Sequence, residues 1–194
     1  MPASFPANTL QELVEHANGN PGKLSYSSSG IGSWVHLAAE VFKQATGTDI
    51  VHVPYKGTGP MTADLAAGRV ELSFPSFATA SNFLVAGKVK VLALAETKRY
   101  AGKPDIPTIG ESYPSFRKPP SWIAMFGPAG LPQSVVRRIN AAINKALDSA
   151  ELRAFYARQN ALIIGGTPEE VAATVKRDWE ITAKLIKTLG LQAE

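Results

Sequence analysis

Leu24-Ser25-Tyr26-Ser27-Ser28-Ser29-Gly30-Ile31-Gly32-Ser33-Trp34-Val35-His36-Leu37-Ala38 reads as a strand, a loop and a helix in one run. Residues 24–27 have the length of a short strand. After the serines and glycines, Trp34, Leu37, Ala38, Val41, Phe42 and Ala45 recur at helical spacing, and Gly47 stands where a helix stops. The Ser/Gly cluster therefore falls at a strand-to-helix junction. There the first backbone N–H groups have no intrahelical partner and the helix dipole favours an anion. Gly30 and Gly32 leave room for close approach, and Ser27, Ser28, Ser29 and Ser33 add neutral hydroxyls. This is the chemistry of an anion cradle. An ordinary loop, with one serine capping the helix and the others in water, fits the same letters, so the local pattern leaves both readings open.

On either side the chain alternates helix and strand. Thr9-Leu10-Gln11-Glu12 is a capping box followed by an apolar stripe at Leu10, Leu13, Val14 and Ala17. Residues 50–53 form a β-branched strand that runs into Pro54-Tyr55-Lys56-Gly57-Thr58-Gly59-Pro60, a second glycine-rich turn, with Pro60 suited to a first helical position. Residues 70–74 alternate as a strand does, Pro75-Ser76 breaks it, and a helix over 78–86 follows. Residues 90–95 are nearly all apolar, as in a strand buried on both faces. An α-β-α-β-α-β-α-β order implies an α/β fold with a doubly wound, mainly parallel sheet. Such sheets bind ligands beyond the C-terminal ends of their strands. The three loops around Ser28, Lys56 and Ser76 share that edge. Tyr55, Phe74 and Ser76 join the candidate site there, against the simpler readings of core aromatic residues and a solvated lysine at position 56. His36, three residues after Ser33, shares a helix face with it and is a candidate donor to ligand or loop, or a histidine that orients the next loop.

The second part of the chain differs. Five prolines between 104 and 120 mark an extended connection. A strand over 122–126, a helix from about 132 with an inward face at Val135, Val136, Ile139, Ala142, Ile143 and Leu147, a helix over 150–159, a strand over 161–164 and a long helix opened by Thr167-Pro168-Glu169-Glu170 complete it. Two short strands are too few for an independent sheet. The helices then need cover from the first part or from another chain, which makes a homo-oligomer an expectation.

Composition narrows the function classes. The 194 residues carry a net charge of +4, with no cysteine and three histidines far apart in sequence. Thiol chemistry and cysteine-based zinc sites are excluded, and no metal or cofactor is expected. The scattered basic residues make no aromatic-basic stripe, so nucleic acid is not an expected partner. The N-terminus lacks the basic start and apolar core of a signal peptide. Ser28 and His36 offer a nucleophile and a base on paper, giving a small serine hydrolase as an alternative. But no G-x-S-x-G elbow and no third orienting acid accompany them, and Gly57-Thr58-Gly59 lacks the ending of a phosphate loop. No catalytic residue is assigned.

SYSSSGIGSWVHLAAEVFK at 25–43, HVPYKGTGP at 52–60, the strand region at 88–94, PTIGE at 107–111, the run from Trp122 to GPAGLP at 127–132 and the Thr167 helix start occur together in this order. With them the chain resembles the Bug-type periplasmic solute-binding proteins of tripartite tricarboxylate transporters. The resemblance implies a periplasmic-binding-protein-like (type II) fold of two domains that close, like a flytrap, on a small organic acid. It implies that residues 1–120 are the second domain of that fold and that 121–194 are the returning, helix-rich part of an incomplete first domain, the chain being truncated at its N-terminal side. It further implies a dicarboxylate or aromatic carboxylate ligand, a membrane permease as partner, and a periplasmic location for the full-length proteins. On these grounds Ser27, Ser28, Ser29, Gly30, Gly32, Ser33, His36, Tyr55, Phe74 and Ser76 are the expected ligand-binding residues. The position after Phe74, often acidic in the family, is Pro75 here, which favours a ligand without an ammonium group. A truncated domain that self-associates or binds a partner without ligand is the alternative.

Overall fold

A computed structural model describes residues 1–159 and 161–191. Its elements are α1 (Leu10–Gly19), β1 (Ser25–Ser28), α2 (Trp34–Thr46), β2 (Val51–Pro54), α3 (Thr58–Ala66), β3 (Leu72–Ser73), α4 (Phe77–Val85), α5 (Ile109–Ser112), α6 (Gln133–Leu147), α7 (Ala150–Arg158) and α8 (Pro168–Thr188). The chain separates into two compact units, Met1–Pro119 with the chain from Ile186 onward, and Pro120–Leu185.

In the first unit three parallel strands stand in the order β2-β1-β3. Tyr26 pairs in register with His52 and with Leu72, and Ser27 with Val53 and Ser73. Side chains alternate across a strand, so Tyr26, Ser28 and His52 share one face and Ser27 and Val53 the other. The first face meets α2, where the Tyr26, His52 and His36 rings stack. The opposite face carries Val53 against the buried cluster Leu65, Val70 and Val89, on which Phe83 also packs. Helices thus cover both faces of a parallel α/β sheet. Tyr26, Phe42, Leu13, Ile50, Met61 and Leu65 are fully buried, each contributing about 1.5–3 kcal/mol of transfer free energy.

Local chemistry sets the helix starts. Thr9 Oγ1 accepts the Glu12 N–H at 3.1 Å, while the Glu12 carboxylate reaches one residue further back and accepts the Asn8 N–H at 2.7 Å. In the second unit, Thr167 and Glu170 exchange both bonds of a capping box. Asn144 holds the turn before α8 by donating to the Gly166 carbonyl at 2.9 Å and accepting the Gly166 N–H at 3.0 Å.

Several expectations are corrected. The strand expected over 90–95 is reduced to a parallel bridge between Leu94 and Thr108, fixed by Leu94 N–H to the Pro107 carbonyl and Ile109 N–H to the Leu94 carbonyl. The strands expected over 122–126 and 161–164 do not form among the described residues. A strand needs a neighbour for its backbone groups, and neither segment has one among the described residues, so Ile123, Met125, Phe126, Leu162 and Ile164 remain largely exposed. The inward face expected on α6 is not buried either: no α6 residue is, because its amphipathic stripe has no sheet to cover. α3 begins at Thr58, before Pro60, with Gly57 as its cap residue. The prolines of the connection hide α5, whose Thr108/Glu111 capping box was legible as Thr108-Ile109-Gly110-Glu111.

Candidate functional site

The loop between β1 and α2 is shaped by two glycines. Gly30 has φ of 136° and Gly32 of 73°, values that side-chain-bearing residues resist. Ser33 closes the loop as the α2 cap residue, its Oγ accepting the His36 N–H at 3.3 Å. Inside the loop three backbone donors are already occupied. The Gly30 N–H goes to Ser28 Oγ at 3.2 Å, the Gly32 N–H to His36 Nδ1 at 3.0 Å, and the Ser33 N–H to the Gly30 carbonyl at 3.2 Å. The N–H groups of Ile31, Trp34 and Val35 find no acceptor among the described residues. Ile31 and Gly32 are exposed, and Ser29, Gly30 and Ser33 half-buried. Unoccupied donors at a helix start are the kind of group that an anion accepts from.

The serines divide by position. Ser27 and Ser28 are fully buried. Ser27 Oγ has no hydrogen-bond partner, while its carbonyl accepts from Ser73 Oγ at 3.1 Å. Ser28 Oγ lies 2.7 Å from His52 Nε2 and 3.1 Å from the Gly30 carbonyl. The hydroxyl in contact with a histidine is therefore joined to His52, not to the His36 considered from sequence. The loop's crest, from Ser29 to Ser33, is half-buried to exposed.

The second loop is stitched to the first. The Tyr55 N–H donates to the Ser28 carbonyl at 2.9 Å and the Gly57 N–H to the Ser29 carbonyl at 3.3 Å. The Tyr55 hydroxyl is occupied by Asp64, to which it donates at 2.8 Å, and Arg69 holds the other carboxylate oxygen at 2.6 Å. Burial, then that carboxylate, raises the Tyr55 pKa. In the third loop Phe74 packs its ring 5.7 Å from Phe42 of α2. Ser76 is exposed and caps α4, its Oγ accepting the Thr79 N–H at 3.2 Å. Hydrogen bonds join the first two loops; none in the described set joins Ser76 to them.

Behind the loop stands a column of rings. His36 and His52 stack with centroids 4.0 Å apart and planes 8° from parallel, and Tyr26 lies 4.8 Å from His52. The Tyr26 hydroxyl donates to Glu40 at 2.5 Å, and Lys43 reaches the same carboxylate oxygen at 2.8 Å. Burial, followed by Glu40, raises the Tyr26 pKa. Burial lowers His36, and burial with the adjoining His36 brings His52 down to about 4. His52 was not among the residues singled out from sequence. The signal was present: its register partner Tyr26 puts it on the face of Ser28. No group of three or more metal-binding side chains is assembled among the described residues, and no helix among them is long and apolar enough to cross a membrane.

Residues 1–191 match the family model described as tripartite tricarboxylate transporter family receptor. A UPF0065 protein from the tcbD-tcbE intergenic region of Pseudomonas sp. (strain P51) is 34% identical over 195 residues, covering 100% of this chain and 58% of that protein. Among solved structures, R. palustris Rpa4515 with adipate is 32% identical with a TM-score of 0.93, over 98% of this chain and 64% of that one. The periplasmic binding protein BugD is 30% identical with a TM-score of 0.90, over 100% and 65%. MatC (Rpa3494) of Rhodopseudomonas palustris with bound malate is 26% identical with a TM-score of 0.81, over 95% and 64%. The chain spans less than two thirds of each of these proteins.

Proposed function

Because the chain belongs to the tripartite tricarboxylate transporter receptor family, we propose that it binds a small organic dicarboxylate at the β1–α2 loop, for delivery to a membrane permease from the periplasm. The observation that carries this reading is the set of unoccupied donors at Ile31, Trp34 and Val35 on a loop held open by Gly30 and Gly32. A carboxylate placed there accepts charge-assisted hydrogen bonds of about 1.5–3 kcal/mol each, with a helix-dipole contribution of about 0.3–1 kcal/mol. All the donors are uncharged, which suits a carrier that must release its cargo. The solved relatives that hold adipate and malate supply the ligand class. The backbone N–H groups of Ile31, Trp34 and Val35 are assigned to the carboxylate, with Ser29, Gly30, Gly32 and Ser33 forming the crest that presents them. Ser27, Ser28, His36, Tyr55 and Phe74 shape the loop's surroundings, and Ser76 lines the neighbouring edge.

The reading is of a non-catalytic receptor. Ser28 and His52 are at hydrogen-bond distance, but a fully buried Oγ that also accepts the Gly30 N–H presents no nucleophile to a substrate. Calorimetry with adipate and malate tests binding: measurable heat with either supports the proposal, and none with a panel of C4 to C6 dicarboxylates removes it. Turnover of a p-nitrophenyl ester that is lost in Ser28→Ala would restore the hydrolase alternative.

A second reading is favoured by the second unit taken alone. Ile123, Met125, Phe126, Leu162, Ile164 and Trp179 are strongly exposed, and exposed apolar area of this kind favours association. Sedimentation velocity across a hundredfold range of concentration decides it: a growing dimer supports self-association, and a monomer throughout excludes it.

A further inference from the structure

We infer that the stacked His36–His52 pair is the positioning device of the anion loop, each ring acting as a neutral imidazole that fixes one loop group from behind. The inference rests on the carboxylate reading of the loop for its purpose, but not for its geometry. His36 Nδ1 accepts the Gly32 N–H at 3.0 Å. A nitrogen that accepts carries no proton, so the His36 proton sits on Nε2 and the tautomer is set by the loop. His52 Nε2 holds Ser28 Oγ at 2.7 Å, and that oxygen accepts the Gly30 N–H. Two imidazoles thereby restrain the amides of both loop glycines, one directly and one through a serine. The consequence is a partition of donors: the glycine amides are turned to the protein, and those of Ile31, Trp34 and Val35 are left for a ligand.

The surroundings keep both rings neutral. A charge on each would place two cations 4.0 Å apart in a stack. The charged groups around the column are Glu40 and Lys43 of α2, and Tyr26 of β1 is its other titratable group. Glu40 is already engaged by the Tyr26 hydroxyl and by Lys43, so it hydrogen-bonds neither imidazole among the described bonds. Lys43, 5.7 Å from the Tyr26 ring centroid, adds positive charge to the same side. Burial of the pair lowers both histidine pKa values. Protonating His36 at Nδ1 would set two donors face to face at the Gly32 amide and release the loop. A ring kept only for packing would need no particular nitrogen aimed at a backbone amide.

The test uses the chain itself. Long-range 1H–15N correlation spectra at pH 7 are expected to show His36 neutral with its proton on Nε2, and the Gly32 amide resonance to shift as acidification protonates His36. His36→Asn places an amide oxygen near the Nδ1 position, and His52→Gln places an amide near Nε2. Both are expected to keep the loop resonances and to bind adipate within about threefold of the parent, while His36→Ala and His52→Ala weaken it about tenfold. Should the alanine variants not fold, the Asn and Gln variants and the parent spectra still decide. His36 protonated on Nδ1 at pH 7, or a Gly32 amide indifferent to His36 protonation, overturns the inference. A parent chain that gives these spectra but binds none of the C4 to C6 dicarboxylates refutes the carboxylate reading instead and leaves the positioning role standing.

Discussion

Replacing Gly30 by alanine tests whether the loop holds the backbone shape on which its donors depend. At φ of 136° a residue with a Cβ is strained by about 1–3 kcal/mol. The space itself is not the obstacle, since the new Cβ would lie 3.7 Å from the Tyr55 carbonyl oxygen, an ordinary contact. Loss of chain freedom in the unfolded state returns about 0.4–1 kcal/mol. The net destabilisation is therefore between roughly 0 and 2.6 kcal/mol. If the chain instead relaxes φ, the Gly30 carbonyl moves away from the Ser33 N–H and Ser28 Oγ that it holds at 3.2 and 3.1 Å, and the cradle is deformed. Either way adipate binding weakens. Gly32→Ala is the companion variant: its φ of 73° is left-handed and nothing lies within 4 Å of the added carbon, so its cost is that of the left-handed conformation, about 1 kcal/mol. Urea unfolding measures the stability of each, and calorimetry measures binding. A Gly30→Ala protein that unfolds at the parent midpoint and binds adipate equally well would refute the argument.

Further variants probe the supports. Ser28→Ala leaves the half-buried Gly30 N–H and His52 Nε2 without their oxygen, and a loss of about 1–2 kcal/mol in urea unfolding is expected. In the second unit, Asn144→Ala removes the two bonds to Gly166 and should cost about 1–2 kcal/mol with no effect on the first unit's loop resonances. The pH dependence of stability has a definite sign. An unfolded histidine takes up its proton near pH 6.5, whereas folded His52 does so only near 4, so the unfolded state gains protons first as pH falls. Stability from this group is complete above 6.5 and lost by about pH 4, an effect of no more than about 1–2 kcal/mol once solvent screening is allowed for. Unfolding of His52→Gln, measured at pH 7 and pH 4.5, should show a smaller difference than the parent.

How much was legible follows from which interactions are local. The Thr9 cap, the Thr167/Glu170 capping box, the stripes of α1 and α2 and the glycine stops were readable because neighbours in sequence decide them, although the Glu12 carboxylate turns to the Asn8 N–H and leaves the first box half made. Leu10, Leu13, Val14 and Ala17 are all buried as their spacing demands. Strand pairing was less so. Residues 90–95, 122–126 and 161–164 have the apolar content of strands, but a strand exists only where another lies beside it, and that is not written in the segment. In the site, the Ser/Gly loop is located by its own letters. The inward-facing half, Ser28 on His52 and Gly32 on His36, depends on the parallel register of β1 with β2. Parity of residue number along the two strands would have revealed His52 once that pairing was assumed.

Titration of the 15N-labelled chain with adipate, followed through the backbone amides, reports whether donors at the start of α2 receive a carboxylate. Saturable shifts concentrated at Ile31, Trp34 and Val35, diminished in Gly30→Ala, are expected. Shifts confined to other parts of the chain, or none up to millimolar adipate, would contradict that reading.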